Sequence, residues 1–155
     1  MDSDFKNLVV WQRAMDLADE VYDAVDTLPN DERYVLSAQM RRAALSIPAN
    51  IAEGKGRWSI REYRQFVRHA RGSALELESH LLFAQRRKLL SAERTQRLLA
   101  LEDEVVRKLN ALIHYLNRKE KKPPRPATGD PNEPVTSAPP LRAAPPSPAS
   151  ASTQS

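Results

Sequence analysis

Between Arg33 and Arg71 the chain places nine basic residues against two acids, Glu53 and Glu62, a net charge of +7 over this span. The nine are Arg33, Arg41, Arg42, Lys55, Arg57, Arg61, Arg64, Arg68 and Arg71. The last five arginines are spaced 4, 3, 4 and 3, which on a helix makes one stripe. Arginine outnumbers lysine here, and its planar fork of donors suits bidentate binding of phosphate or carboxylate. Phosphate contacts of this kind give affinity for nucleic acid without reading bases. The same charges have a second use. Residues 1–32 hold nine acids against Lys6 and Arg13, a net charge of −7. The stripe can therefore pair with an acidic helix face, in its own subunit or in a neighbour, and the residues alone leave both uses open.

The loop Gly54-Lys55-Gly56-Arg57-Trp58-Ser59 precedes a helix start, where free backbone N–H groups favour anions, and Trp58 is placed to stack on a base. A plain capping turn with Trp58 packed as a lid fits the same residues. It is not a P-loop, because the glycine spacing and the Lys-Ser/Thr pair are missing. Glu76 and His80 are four apart, but the paired Glu-x-x-His motifs of di-iron bundles are missing, and His69 and His114 bring no matching ligands. There is no cysteine, and no nucleophile elbow or triad spacing is present. The sequence thus predicts no catalytic residue, no metal and no cofactor. The run Lys119-Glu120-Lys121-Lys122 reads as a solvated helix end that adds attraction to a polyanion.

Four amphipathic helices must position these groups. The first is predicted over about Leu8–Leu28, with Trp11, Met15, Ala18, Val21 or Tyr22, Val25 and Leu28 inward. Asp16, Asp19, Glu20, Asp23 and Asp26 fill its other side. The second starts near Asp31 behind an Asn30 cap and buries Leu36, Met40, Ala43 or Ala44, Ile47 and Ile51. Pro48 predicts a kink, Asn50 at the edge of the apolar face needs partners, and Gly54-Lys55-Gly56 predicts the helix end, with glycine as a left-handed cap. Ser59-Ile60-Arg61-Glu62 is a capping box opening a third helix to about Lys88. Its inner face holds Tyr63, Phe66 or Val67, Ala70, Ala74, Leu77, Leu81 and Ala84. Arg61, Arg64, Arg68 and Arg71 share an outer sector about 80° wide, continued by Leu75 and Leu82. Those two leucines, with Gly72 allowing close approach, predict an oligomer interface. Ser91 caps the fourth helix, which runs to about Lys119 and turns Leu98, Leu101, Val105, Leu109, Leu112 and Leu116 inward. The fold class predicted is all-α, an antiparallel up-down-up-down four-helix bundle over 1–118.

Residues 119–155 hold ten of the 12 prolines, and Val135 and Leu141 are their only large apolar residues. Such a tail cannot bury enough surface to offset its ordering entropy, so disorder is predicted. No run of 18 apolar residues occurs and the N-terminus has no apolar signal core, which predicts a soluble intracellular protein without membrane contact.

Several segments carry a resemblance: residues 5–14 (FKNLVVWQRA), 39–54 (QMRRAALSIPANIAEG), Gly56-Arg57 and 70–78 (ARGSALELE). Over about 5–118 the chain resembles the four-helix-bundle proteins of the 23S rRNA intervening-sequence family. That resemblance implies a bacterial cytoplasmic protein assembling as a ring-like homopentamer. The family is similar to the accessory variability determinant of diversity-generating retroelements, a basic pentamer that engages nucleic acid and a reverse transcriptase. The resemblance brings no catalytic residues. Two functions follow as expectations. One is a nucleic-acid-binding assembly using Arg41, Arg42, Lys55, Arg57, Trp58, Arg61, Arg64, Arg68 and Arg71. The other is a protein-interaction scaffold whose charges only build the oligomer.

Overall fold

The computed structural model describes residues 4–29 and 35–121. A 3₁₀ turn at Phe5–Asn7 leads into α1 (Val9–Asp26), followed by α2 (Leu36–Lys55), α3 (Ile60–Arg86) and α4 (Ala92–Lys121). No strand occurs among the described residues.

Side-chain pairs fix the direction of each neighbour. Arg42 meets Glu76, Ser46 meets Ser73, and Gly54 sits against Tyr63 and Phe66, so α2 and α3 run antiparallel. Arg64 near the start of α3 reaches Asn117 and Glu120 near the end of α4. Arg13 of α1 meets Glu104, and Glu20 meets Arg97, which sets α1 antiparallel to α4. The starts of α1 and α3 and the ends of α2 and α4 therefore share one end of an up-down-up-down bundle.

The core is aliphatic. Leu17, Met40, Ile47, Ile51, Leu77, Leu81, Leu98 and Leu109 are fully buried. The inner faces of α2 and α3 follow the predicted periodicity. In α1 the expected Ala18, Val21, Val25 and Leu28 are buried, joined by Ala14, Leu17 and Ala24, while Trp11 and Met15, also expected inward, lie only half in. Alanines let the neighbouring helices approach there, and Trp11 instead packs edge-on against Phe5 at a 5.2 Å centroid separation.

Several local expectations are corrected. Helix α2 ends at Lys55 and Gly56 caps it as expected, but with φ −77° and not left-handed; no glycine has a positive φ among the described residues, and Gly54 is buried inside the helix. An added Cβ there would lie 2.8 Å from Phe66 Cβ and 2.9 Å from Tyr63 Cδ2, so the missing side chain is what lets α3 close against α2. Helix α3 stops at Arg86, and Lys88 adopts the left-handed turn, φ 59°. Leu89 N–H donates to the Ala84 carbonyl and Lys88 N–H to that of Gln85, a Schellman ending with lysine where glycine is usual. Helix α4 continues past its predicted end to Lys121, its last turn held by Glu120 on Arg64. The Asn30 cap and the tail beyond Lys121 lie outside the described residues.

Other expectations stand. Ser59 Oγ accepts from Glu62 N–H at 3.1 Å, the forward half of the capping box, and it is the Ser59 hydroxyl that donates to the Glu62 carboxylate. Ser91 Oγ caps α4 through Arg94 N–H. Asn50 finds its partners in the Ser46 carbonyl and hydroxyl. No helix among the described residues is long and apolar enough to cross a membrane.

Candidate nucleic-acid interface

The basic residues divide into two groups that spacing does not separate. The first group is engaged. Arg41 binds Asp26 at 2.7 Å and lies over the Tyr22 ring. Arg42 holds Gln39 and Glu76. Arg57 pairs with Glu53 across one turn and covers the Phe66 ring at 4.6 Å. Arg64 belongs to the α3 stripe but turns to the side, onto Asn117 Oδ1 at 3.0 Å and onto Glu120, and only 16% of its side chain is exposed. The second group is free. Arg61, Arg68 and Arg71 are exposed and have no ion-pair or hydrogen-bond partner among the described residues.

By helical spacing Arg61 and Arg68 share the outer side of α3 with Arg71 displaced toward the Arg64 side, and all three are exposed. Further along this ridge Leu75 (43% exposed), Leu82 (46%) and Phe83 (50%) are also open. Phe83 was missed because its register falls beside the leucine stripe rather than on it. Gly72, expected to admit a close neighbour, meets nothing beyond its own helix within 4 Å of where a Cβ would be, among the described residues. No other described element therefore explains it.

None of the helix-1 acids meets the α3 stripe inside the subunit. Asp16 pairs with Arg13, Glu20 with Arg97 and Asp26 with Arg41, while Asp19 and Asp23 are exposed without partners among the described residues. Glu76, considered with His80 as a ligand pair, spends its carboxylate on Arg42, with His80 Nε2 3.6 Å away. Groups of three or more metal-ligating side chains do not occur among the described residues.

The loop before α3 forms part of a cleft of about 360 Å³ at the shared end of the bundle, lined in part by Lys55, Arg57, Trp58, Tyr63, Tyr115 and Lys119. Trp58 is 90% exposed, so it is not a packed lid. Burial, and secondarily nearby Tyr115, pushes the Tyr63 phenol up to about 12, so it stays a neutral hydrogen-bonding group. Tyr115 was not singled out from sequence. Its spacing from Lys119 on α4 was visible, and only the antiparallel packing brings that pair beside Trp58.

A four-helix bundle with a cationic outer ridge and an aromatic, basic end cleft is thus the class of protein that fold and surface define. A family model described as "23S rRNA-intervening sequence protein" matches residues 6–111, and the chain belongs to that family. Among solved structures it is similar to a protein of unknown function from the S23 ribosomal protein family of Bacteroides thetaiotaomicron. That similarity has a TM-score of 0.64 and 24% identity, covers 68% of this chain and 98% of the other, and shows the shared fold. No curated protein matches the sequence.

Proposed function

We propose that this protein is a non-catalytic, homo-oligomeric bundle that binds nucleic acid through the outer face of α3 without sequence preference. The observation that carries this reading is the exposed group of Arg61, Arg68 and Arg71, unpaired among the described residues while Arg41, Arg42, Arg57 and Arg64 are neutralised within the fold. Unpaired arginines offer phosphate contacts without first breaking an ion pair. A family named for an rRNA intervening sequence supports an RNA partner. Its likeness to the retroelement determinant supports a five-copy ring and an accessory role beside an enzyme such as a reverse transcriptase.

Changing Arg61, Arg68 and Arg71 together to Gln tests this. Affinity should fall alike for unrelated sequences. The slope of log affinity against log salt should flatten by up to about 0.9 per lost contact on duplex DNA and about 0.7 on single strands. Unchanged affinity and slope would overturn the proposal.

A second reading is favoured by the unpartnered Asp19 and Asp23 and by exposed Leu75, Leu82 and Phe83. These fit a scaffold in which one subunit's α3 ridge meets the next subunit's acidic α1. In that case the triple variant should lower the mass seen by light scattering before it touches any nucleic-acid affinity.

A further inference from the structure

The end cleft differs chemically from the arginine ridge. Among the described residues its polar lining is cationic or neutral, with no carboxylate. Lys55 Nζ stands 5.9 Å from the Tyr63 ring centre and Lys119 Nζ stands 5.8 Å from that of Tyr115, so each ammonium is held over a ring and kept at the cleft. Arg57 is already matched by Glu53, which leaves the two lysines as its open cations. The start of α3 adds little, because Ser59 already takes the Glu62 amide and Glu62 brings a negative charge. Beside the lysines, Trp58 presents an almost wholly uncovered indole, and Tyr115 is half exposed.

We propose that this cleft takes an unpaired nucleotide of a single strand, its base stacked on Trp58 and its phosphate held by Lys55 and Lys119. This rests on the nucleic-acid reading above and adds a second, strand-selective site to it. A flat, exposed indole stacks on any base, and a duplex, whose bases are already stacked on each other, has no free face to offer. The arginine ridge needs only phosphates and makes no such distinction. An aromatic cleft also suits proline, but the segment that follows α4 opens Lys122-Pro123-Pro124-Arg125, whose charges oppose those of the cleft.

The test uses the full chain with a short single-stranded oligonucleotide and a duplex of equal phosphate count. Only Trp11 and Trp58 emit as tryptophans. The single strand should quench emission, and the quench should vanish in Trp58→Leu. Trp58→Ala should weaken single-strand binding by at least about fivefold, the low end for losing a base–aromatic stack. It should leave duplex binding unchanged, and Trp58→Phe should retain most of the single-strand affinity. Because Trp58 is so exposed, the melting temperature should stay constant, which excludes misfolding as the cause. Equal losses for both ligands, or none, would overturn the cleft. Single-strand binding that needs Trp58 but ignores the Arg61, Arg68 and Arg71 triple change would uphold the cleft and sink the ridge. Failure of both ligands to bind would sink both.

Discussion

The α2–α3 seam and the α1–α4 seam solve the same packing problem in opposite ways. The first is closed by small groups: Ser46 Oγ and Ser73 Oγ share a hydrogen bond at 2.8 Å, and Gly54 leaves room for Tyr63 and Phe66. The second is bridged by long side chains. Arg13 reaches Glu104 at 3.2 Å and Arg97 reaches Glu20 at 2.5 Å, above a groove of about 530 Å³ lined by Asp16, Asp19 and Asp23. A seam of small residues depends on shape and tolerates no addition. A seam of exposed ion pairs contributes little stability, and its charges can be exchanged for those of a partner.

The largest test of this contrast is Gly54→Ala. The added Cβ meets the root of a side chain, not its flexible end, so overpacking should cost about 1–3 kcal/mol in spite of alanine's better helix propensity. Urea unfolding with an unchanged midpoint would mean that the seam yields.

Next comes Glu102, which carries the charge of one seam into the burial of the other. It is 4% exposed, its Oε1 has no partner, and burial, then Glu78 and Asp103, pushes its carboxyl up to about 7 from 4.5. The folded state therefore holds a proton that the unfolded chain releases near pH 4.5, so stability should fall as pH rises from about 4.5 to about 7 and then level off. Glu102→Gln should flatten that fall and raise stability at neutral pH, on the order of 1 kcal/mol or more. A melting temperature that keeps its slope across this window in the variant would refute the assignment.

Gly72→Ala sharpens the comparison from the other side. No other element among the described residues stands near, so alanine should stabilise α3 by up to about 1 kcal/mol. If light scattering instead shows a weakened multimer, a neighbouring copy packs there as Gly54 is packed within the chain. The smallest effect belongs to Arg97→Gln, about 0–1 kcal/mol and shrinking with added salt. A larger loss would show that the α1–α4 pairs act as a network.

Periodicity was enough to read α2 and α3, because Met40, Ile47, Ile51, Leu77 and Leu81 repeat at helical spacing and are all buried. In α1 it placed Ala18, Val21, Val25 and Leu28 rightly but put Trp11 and Met15 inside, where the structure buries Ala14 and Leu17 and leaves the larger pair at the rim. The run Gly54-Lys55-Gly56 reads locally as a helix end, which it is, whereas the room Gly54 leaves for rings arriving from α3 has no local sign. The arginines show the same limit. Arg61 and Arg64 are alike in spacing and type, yet Arg64 is captured by Asn117 and Glu120, 53 and 56 residues away. Local pattern marks where a charge leaves the helix, and only tertiary packing decides whether another group is waiting.

The antiparallel order has a practical corollary for anything attached to the chain. Leu8, just before α1, and Lys119, two residues before α4 ends, both line the end cleft. A tag or fused partner at either position is presented to the cleft as an intramolecular competitor, at a local concentration that a free ligand must exceed. The α3–α4 connection, Arg87–Ser91, sits at the opposite pole and is where a reporter leaves that mouth clear.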